Sequence, residues 1–167
     1  MRGILVDWII EVHLRFHLGP ETLYLTVNLI DRYLEKTLIK RYRLQLVAVA
    51  ALLIATKYEE IYPVPIKEFV IISDDTYTKE EIIKMERSIL TTLEFNITIP
   101  SSYWFLQRFC KVAKSQSKLM HLANYLIELT LIEARMLAFC PSNIAASALF
   151  LATKILYREM GHWTPLL

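Results

Sequence analysis

The chain has 167 residues, 19 Lys and Arg against 17 Asp and Glu, a net charge of +2, two cysteines and only three glycines. Near-neutral charge without a long basic run argues against a nucleic-acid face, and three glycines are too few for a Gly-rich phosphate loop. At 54% hydrophobic it can bury a real core, yet no uncharged stretch reaches the roughly 20 residues of a membrane span.

The N-terminus meets Asp7 too early for a signal peptide. Residues 2–17 are expected to form a first helix, with Met1, Ile4, Leu5, Trp8, Ile9, Val12 and Phe16 on one apolar stripe and Asp7 and Glu11 outside it. Gly19-Pro20 stops that helix and starts a second over 20–36. Leu23, Val27, Ile30 and Leu34 mark its core face. A basic turn, Lys40 to Arg43, leads to a third helix over 43–60. This helix carries no charge between Arg43 and Lys57 and is apolar all round, so it should be surrounded by other helices. Its end, Lys57-Tyr58-Glu59-Glu60, sets carboxylates against the helix dipole at a cost of about 0.3–1 kcal/mol each, which suggests that something distant in sequence needs them.

Pro63 and Pro65 end the third helix and permit a short fourth, 65–72. Thr78 and Glu81 form a capping-box pattern for a fifth, 78–94. Residues 96–100 form an extended linker. Helices resume over 101–113, 116–133 and 141–157, with a short turn near 134–139. Gly161 to Pro165 looks like the lead-in to another helix. No strand is predicted, so the class is all-α. Cys110 and Cys140 lie in apolar sequence and are expected to be reduced core thiols of an intracellular protein.

The chain contains an internal repeat. Ala51-Leu52-Leu53-Ile54-Ala55-Thr56-Lys57 returns 97 residues later as Ala148-Leu149-Phe150-Leu151-Ala152-Thr153-Lys154. The same shift carries Leu25, Leu29, Ile30 and Asp31 onto Leu122, Leu126, Ile127 and Glu128, and Trp8 and Val12 onto Phe105 and Phe109. Two copies of one helical unit follow: residues 1–95 with five helices, and residues 101–167 truncated after about three. A truncated unit leaves apolar surface uncovered, so the chain reads as part of a longer protein. Only the first copy continues as Tyr58-Glu59-Glu60, which directs the search for function to that end.

On the fifth helix Glu86 falls inside the stripe of Ile82, Met85, Ile89 and Leu93, where a carboxylate is costly unless paired. Three readings stand. Lys57 and Glu86 meet, or both face a partner, or Lys57 simply reaches solvent while Glu86 snorkels from an edge. Ile4 and Trp8, with Glu11 beside them, form either an acid-rimmed groove for a peptide with a cation and a bulky apolar side chain or ordinary core. His13 and His17 have metal-compatible i, i+4 spacing but lack a third ligand and read as a surface pair, so no metal site is expected. Neither cysteine has a nearby His, and Asp74-Asp75 reads as a turn.

Several segments resemble the cyclin box of mitotic cyclins: Met1-Arg2-Gly3-Ile4-Leu5-Val6-Asp7-Trp8, Ile30-Asp31-Arg32-Tyr33-Leu34, Lys57-Tyr58-Glu59-Glu60-Ile61-Tyr62-Pro63 and Asp74-Asp75-Thr76-Tyr77-Thr78. Pro141-Ser142-Asn143-Ile144-Ala145-Ala146 is similar to the family's second repeat, and His162-Trp163-Thr164-Pro165, with Lys-Tyr-Glu-Glu, leans to the B-type over the A-type. The resemblance implies two tandem cyclin-box repeats and a non-enzymatic subunit, without cofactor, that binds and activates a cyclin-dependent serine/threonine kinase in mitosis.

Carried over by position, the resemblance assigns Lys57, Glu86, Phe95, Tyr58, Ile54, Glu59 and Leu90 to kinase binding. It assigns Met1, Ile4, Leu5, Trp8, Gln45 and the rim residue Glu11 to a docking patch for Arg-x-Leu substrates or inhibitors. It implies residence in nucleus and cytoplasm, with no membrane or nucleic-acid partner. Gly3 replaces a usual Ala, Ala48 a common Gly and Val64 a usual Pro. An adaptor of the same fold that binds nucleic acid or transcription factors is the alternative, and it needs a basic face.

Overall fold

A computed structural model describes residues 1–157, and their regular structure is all helical. The proposed lead-in at 161–165, including His162 and Trp163, lies outside the described residues. The chain divides into two compact units, residues 1–99 and 100–167.

The first unit holds α1 (Arg2–Arg15), α2 (Pro20–Lys36), α3 (Leu44–Glu59), α4 (Ile66–Ile72) and α5 (Lys79–Thr92), with a 3-10 turn, Arg41–Arg43, before α3. The second unit holds α6 (Ser102–Val112), α7 (Ser117–Ile132) and α8 (Pro141–Leu156), with a 3-10 turn, Ala134–Ala138, between the last two. The 97-residue shift carries both ends of α3 onto both ends of α8. The repeat is therefore structural as well as sequential.

In the first unit α3 is the axis. Residues Leu46 to Thr56 are all buried, and α2 and α5 pack along it with α1 and α4 alongside. Alanines at 48, 50, 51 and 55 favour the helix intrinsically and let neighbours approach closely. Thr56, fully buried, turns its hydroxyl back to the Leu53 carbonyl at 3.0 Å, so no donor is left open. The α5 stripe of Ile82, Met85, Ile89 and Leu93 is buried as its spacing requires. Thr78 and Glu81 form the reciprocal capping box at its start. Tyr33 crosses the core to Ser88 at 2.8 Å, and Phe16 meets Phe69 edge-on at 5.8 Å.

Three expectations are corrected. The buried face of α1 is Val6, Ile9, Val12 and His13, so the stripe is rotated away from Ile4, which is 74% exposed. His13 is not a surface residue: it is buried, with Nε2 2.9 Å from the Gly19 carbonyl, and only His17 is exposed. Cys110 is a buried thiol, whereas Cys140 is exposed at the N-cap of α8. On α1 the helical period was right and its phase was not, because the phase is set by which neighbour packs on the helix; Cys140 lies just outside a helix, where apolar neighbours in sequence do not ensure burial.

Helix ends carry a further regularity. α1, α4, α5 and α6 each close with a paired i→i−3 and i→i−5 backbone hydrogen bond, as Glu94 N–H to Thr91 and Phe95 N–H to Leu90 on α5. This closure needs one residue of positive φ, usually glycine. Here His17, Asp74, Glu94 and Lys114 occupy that position, at φ of 53°, 50°, 53° and 49°.

In the second unit, a groove of about 430 Å³ opens beside α7, the second 3-10 turn and α8. Leu126, Leu129, Met136, Phe139, Ile144 and Leu151 line it. Leu151 is 48% exposed, while its repeat counterpart Ile54 is 3% exposed. In the first unit α5 packs on α2 and α3.

Candidate functional site

The last turn of α3 answers the question its charges pose. Lys57 Nζ lies 2.7 Å from Glu86 Oε1 on α5, with the Lys side chain 51% exposed and the Glu 14%. The pairing lets a carboxylate sit within an apolar stripe. As a half-exposed pair it contributes only about 0.2–1 kcal/mol to folding. Glu60 does different work. Its Oε1 accepts from the Gly19 N–H at 2.8 Å and from the Thr22 hydroxyl at 2.5 Å. Gly19 is the N-cap of α2 and has no side chain to offer, so Glu60 caps that helix from a distance.

The second unit repeats this tie with other chemistry. Tyr157 and Gln116 stand at the repeat positions of Glu60 and Gly19, and the Tyr157 hydroxyl donates to Gln116 Oε1 at 3.0 Å. Glu60 is thus scaffold, a correction to the expectation that the whole Tyr-Glu-Glu ending marks function. The other shared residue diverges. Lys154, the counterpart of Lys57, lies over the Phe150 ring on its own helix, 4.9 Å from the centroid.

Around Lys57 and Glu86 the surface is apolar and acidic. Tyr58 and Glu59 are exposed, Leu90 is half-buried and Phe95 is 69% exposed. Ile54 is not on this surface: it is buried beneath it. Although Glu59 is largely exposed, its partial desolvation, with the nearby charges of Glu21 and Glu60, raises its carboxyl above the usual range. The Tyr58 hydroxyl is hydrogen-bonded to Thr98, which ties the segment after α5 to the end of α3.

On α1, Met1 and Ile4 are exposed, Leu5 and Trp8 are half-buried and Glu11 is exposed. Their helical spacing sets them on one side. α1 packs against α3, whose first turn carries the half-buried Gln45. The Arg2 guanidinium grips Asp31 through two 2.7 Å contacts, Nε to Oδ1 and Nη2 to Oδ2, and fastens the start of α1 to α2. Sequence reasoning missed this pair, and Arg32 as well. Neither breaks a pattern, since a charged residue at the edge of an amphipathic helix is ordinary. Among the described residues no group of three or more His, Cys, Asp or Glu could hold a metal ion. No described helix is long and apolar enough to cross a membrane.

The architecture is that of a two-repeat helical protein with one charged, apolar-flanked edge on its first repeat. Residues 1–98 match the family model for the cyclin N-terminal domain, and residues 100–167 that for the cyclin C-terminal domain. The chain belongs to the cyclin family. It is 49% identical over 168 residues to cyclin-A1-4 of Oryza sativa subsp. japonica, covering 98% of this chain and 47% of that one. It is 48% identical over 163 residues to the G2/mitotic-specific cyclin-B of Dictyostelium discoideum, covering 98% and 37%. A- and B-type relatives are thus equally similar, and the chain spans less than half the length of each. The crystal structure of a viral cyclin from herpesvirus saimiri superposes with a TM-score of 0.83 at 26% identity, over 98% of this chain and 72% of that one.

Proposed function

We propose that this chain is the core of a regulatory subunit that binds and activates a cyclin-dependent serine/threonine kinase in mitotic control. The observation that carries the reading is the Lys57–Glu86 pair, flanked by exposed Phe95 and Tyr58. It offers one cation, one carboxylate and an aromatic anchor on a rigid helix end, a set suited to docking a partner helix with mixed charge. The chain performs no catalysis itself. It favours the kinase conformation in which the catalytic lysine and its glutamate partner are joined, as phosphoryl transfer requires.

The face of Met1, Ile4, Leu5 and Trp8, with Glu11 and Gln45, docks substrates or inhibitors that carry an Arg-x-Leu motif. Its exposed apolar residues suit the leucine and its acid suits the arginine. The protein acts in the nucleus and cytoplasm, where its kinase and substrates meet, and fluorescence imaging of the tagged protein through the division cycle tests that placement.

Mutation of the pair tests the central reading. Lys57→Ala and Glu86→Ala should each weaken kinase binding about tenfold or more. Stability should fall by less than about 1 kcal/mol in Glu86→Ala, and by about 1–3 kcal/mol in Lys57→Ala, which leaves a carboxylate 14% exposed without its partner. Calorimetric titration and a phosphorylation assay on the co-purified complex measure the two effects. Full activation by both variants would exclude the role.

A further inference from the structure

Phe95 stands at the end of α5 in a conformation that a bulky side chain rarely adopts. Glu94 and Phe95 both have positive φ, 53° and 56°, in succession. Glu94 is explained by helix closure, whose paired bonds run from its N–H and from that of Phe95. Phe95 is not explained by closure, and for a large aromatic such a φ is an outlier that neighbouring structure must hold in place.

Beyond the local backbone bonds from Asn96 N–H to the Leu93 carbonyl and from Ile97 N–H to the Phe95 carbonyl, two long-range contacts hold it. Arg32 on α2, 64 residues away in sequence, donates from Nη1 to the Asn96 carbonyl at 2.8 Å. Thr98, two residues further on, is hydrogen-bonded to Tyr58 at the end of α3. The segment is thus pinned just after the strained residue by α2 and α3, two of the helices that pack with α5. The result is a phenyl ring 69% exposed just past the end of the helix that carries Glu86. Nothing in the packing of the first unit needs that ring outside, since α5 already buries Ile82, Met85, Ile89 and Leu93.

We propose that Arg32 and Thr98 are positioning residues. They hold the Glu94–Phe95 turn in its left-handed conformation, so that Phe95 is presented to the kinase without an ordering cost at the moment of binding. This rests on the kinase-binding reading above. Arg32 acts through the backbone and need not touch the partner. Its guanidinium spans the distance from α2 to the Asn96 carbonyl with a charge-assisted bond, stronger than a neutral donor would make.

The test separates this proposal from the reading it rests on. 4-Fluorophenylalanine placed at position 95 of the whole chain gives a fluorine resonance that reports the ring's surroundings with no kinase present. The expected result is one sharp line. Arg32→Ala and Thr98→Val should each shift or broaden it, Arg32→Lys should restore most of it, and Lys84→Ala, at an exposed α5 position, should leave it unchanged. A line indifferent to both Arg32→Ala and Thr98→Val overturns the proposal.

Kinase binding supplies the second arm. Arg32→Ala should weaken it about tenfold, but by less than about twofold when Phe95→Ala is already present, because the two then act through one contact. Equal losses in both backgrounds overturn the positioning role. If the fluorine line responds while Phe95→Ala leaves kinase binding intact, the turn is held as described, and the kinase-binding reading is what fails. Thr98→Val supplies the same comparison should Arg32→Ala lower the melting temperature too far.

Discussion

Glu59 and Glu60 are adjacent in sequence, and their carboxylates bear on folding in opposite directions. Glu60 caps α2 through Gly19 and Thr22, so Glu60→Ala leaves a helix N-terminus and a buried hydroxyl without their acceptor. Loss of bonds to a charged group of this kind costs about 1.5–3 kcal/mol. Glu59 has a raised carboxyl pKa, from burial first and then from Glu21 and Glu60. The folded chain therefore holds a proton there more tightly than the unfolded chain. Its stability falls as pH rises through the window between the usual carboxylate value and the raised one, and the penalty persists above that window. Glu59→Gln should raise the melting temperature at pH 7 and change it little at pH 3.5, while Glu60→Ala should lower it at pH 7. Thermal melts of the two variants and the parent at both pH values check the signs.

At the scale of the element, four helices close through a left-handed residue that is not glycine. The chain holds only three glycines, so its closures use His17, Asp74, Glu94 and Lys114. The left-handed conformation costs a residue with a Cβ about 1 kcal/mol more than it costs glycine, partly offset by the greater freedom glycine has in the unfolded chain. His17→Gly and Lys114→Gly, at positions not assigned to either proposed surface, should each stabilise the protein by a few tenths of a kcal/mol to about 1 kcal/mol. Denaturant melts give the measurement. Glycine elsewhere in these helices, at Arg108 for example, should cost about 1 kcal/mol instead.

The same closures mark where sequence was readable and where it was not. Helix cores showed in periodicity, and starts showed in Pro20, Thr78 and Pro141, residues whose chemistry is local. Gly19-Pro20 marked the end of α1, but the left-handed closures at His17 and Lys114 gave no local sign of themselves. The pairing of Lys57 with Glu86 could be put forward because a carboxylate in an apolar stripe demands a partner. Arg2 with Asp31 and Arg32 with Asn96 could not, because each donor sits where a charged residue needs no excuse. Burial followed the same rule: α3 was legible because it is apolar all round, whereas the phase of α1 depends on neighbours far away in sequence.

Taken whole, the two units have unequal cores. The first encloses α3 and fully buries Tyr33, Phe69, Ile30, Leu52, Leu53, Ile82 and Ile89. In the second, Leu106 and Ile127 are fully buried, but Leu129, Phe139, Leu151 and Ile155 are exposed, and an apolar groove lies open. Local opening is easiest where fewer apolar contacts must be broken. Backbone amides in α7 and α8 should therefore exchange with deuterium faster than those of α3, by about tenfold or more. Equal protection of α3 and α8 in an exchange experiment read by mass spectrometry would contradict this.

The tie between the third helix and the start of the second has a further consequence. A carboxylate meets a backbone N–H in one repeat, and a phenol meets an amide side chain in the other, at the same two positions. Nothing about Glu60 and Gly19 resembles Tyr157 and Gln116 as letters, so an alignment of the copies registers two unrelated substitutions. What the two copies share is a place where two helices are fastened. Each copy uses its own fastener, and the position is common where the residue identity is not.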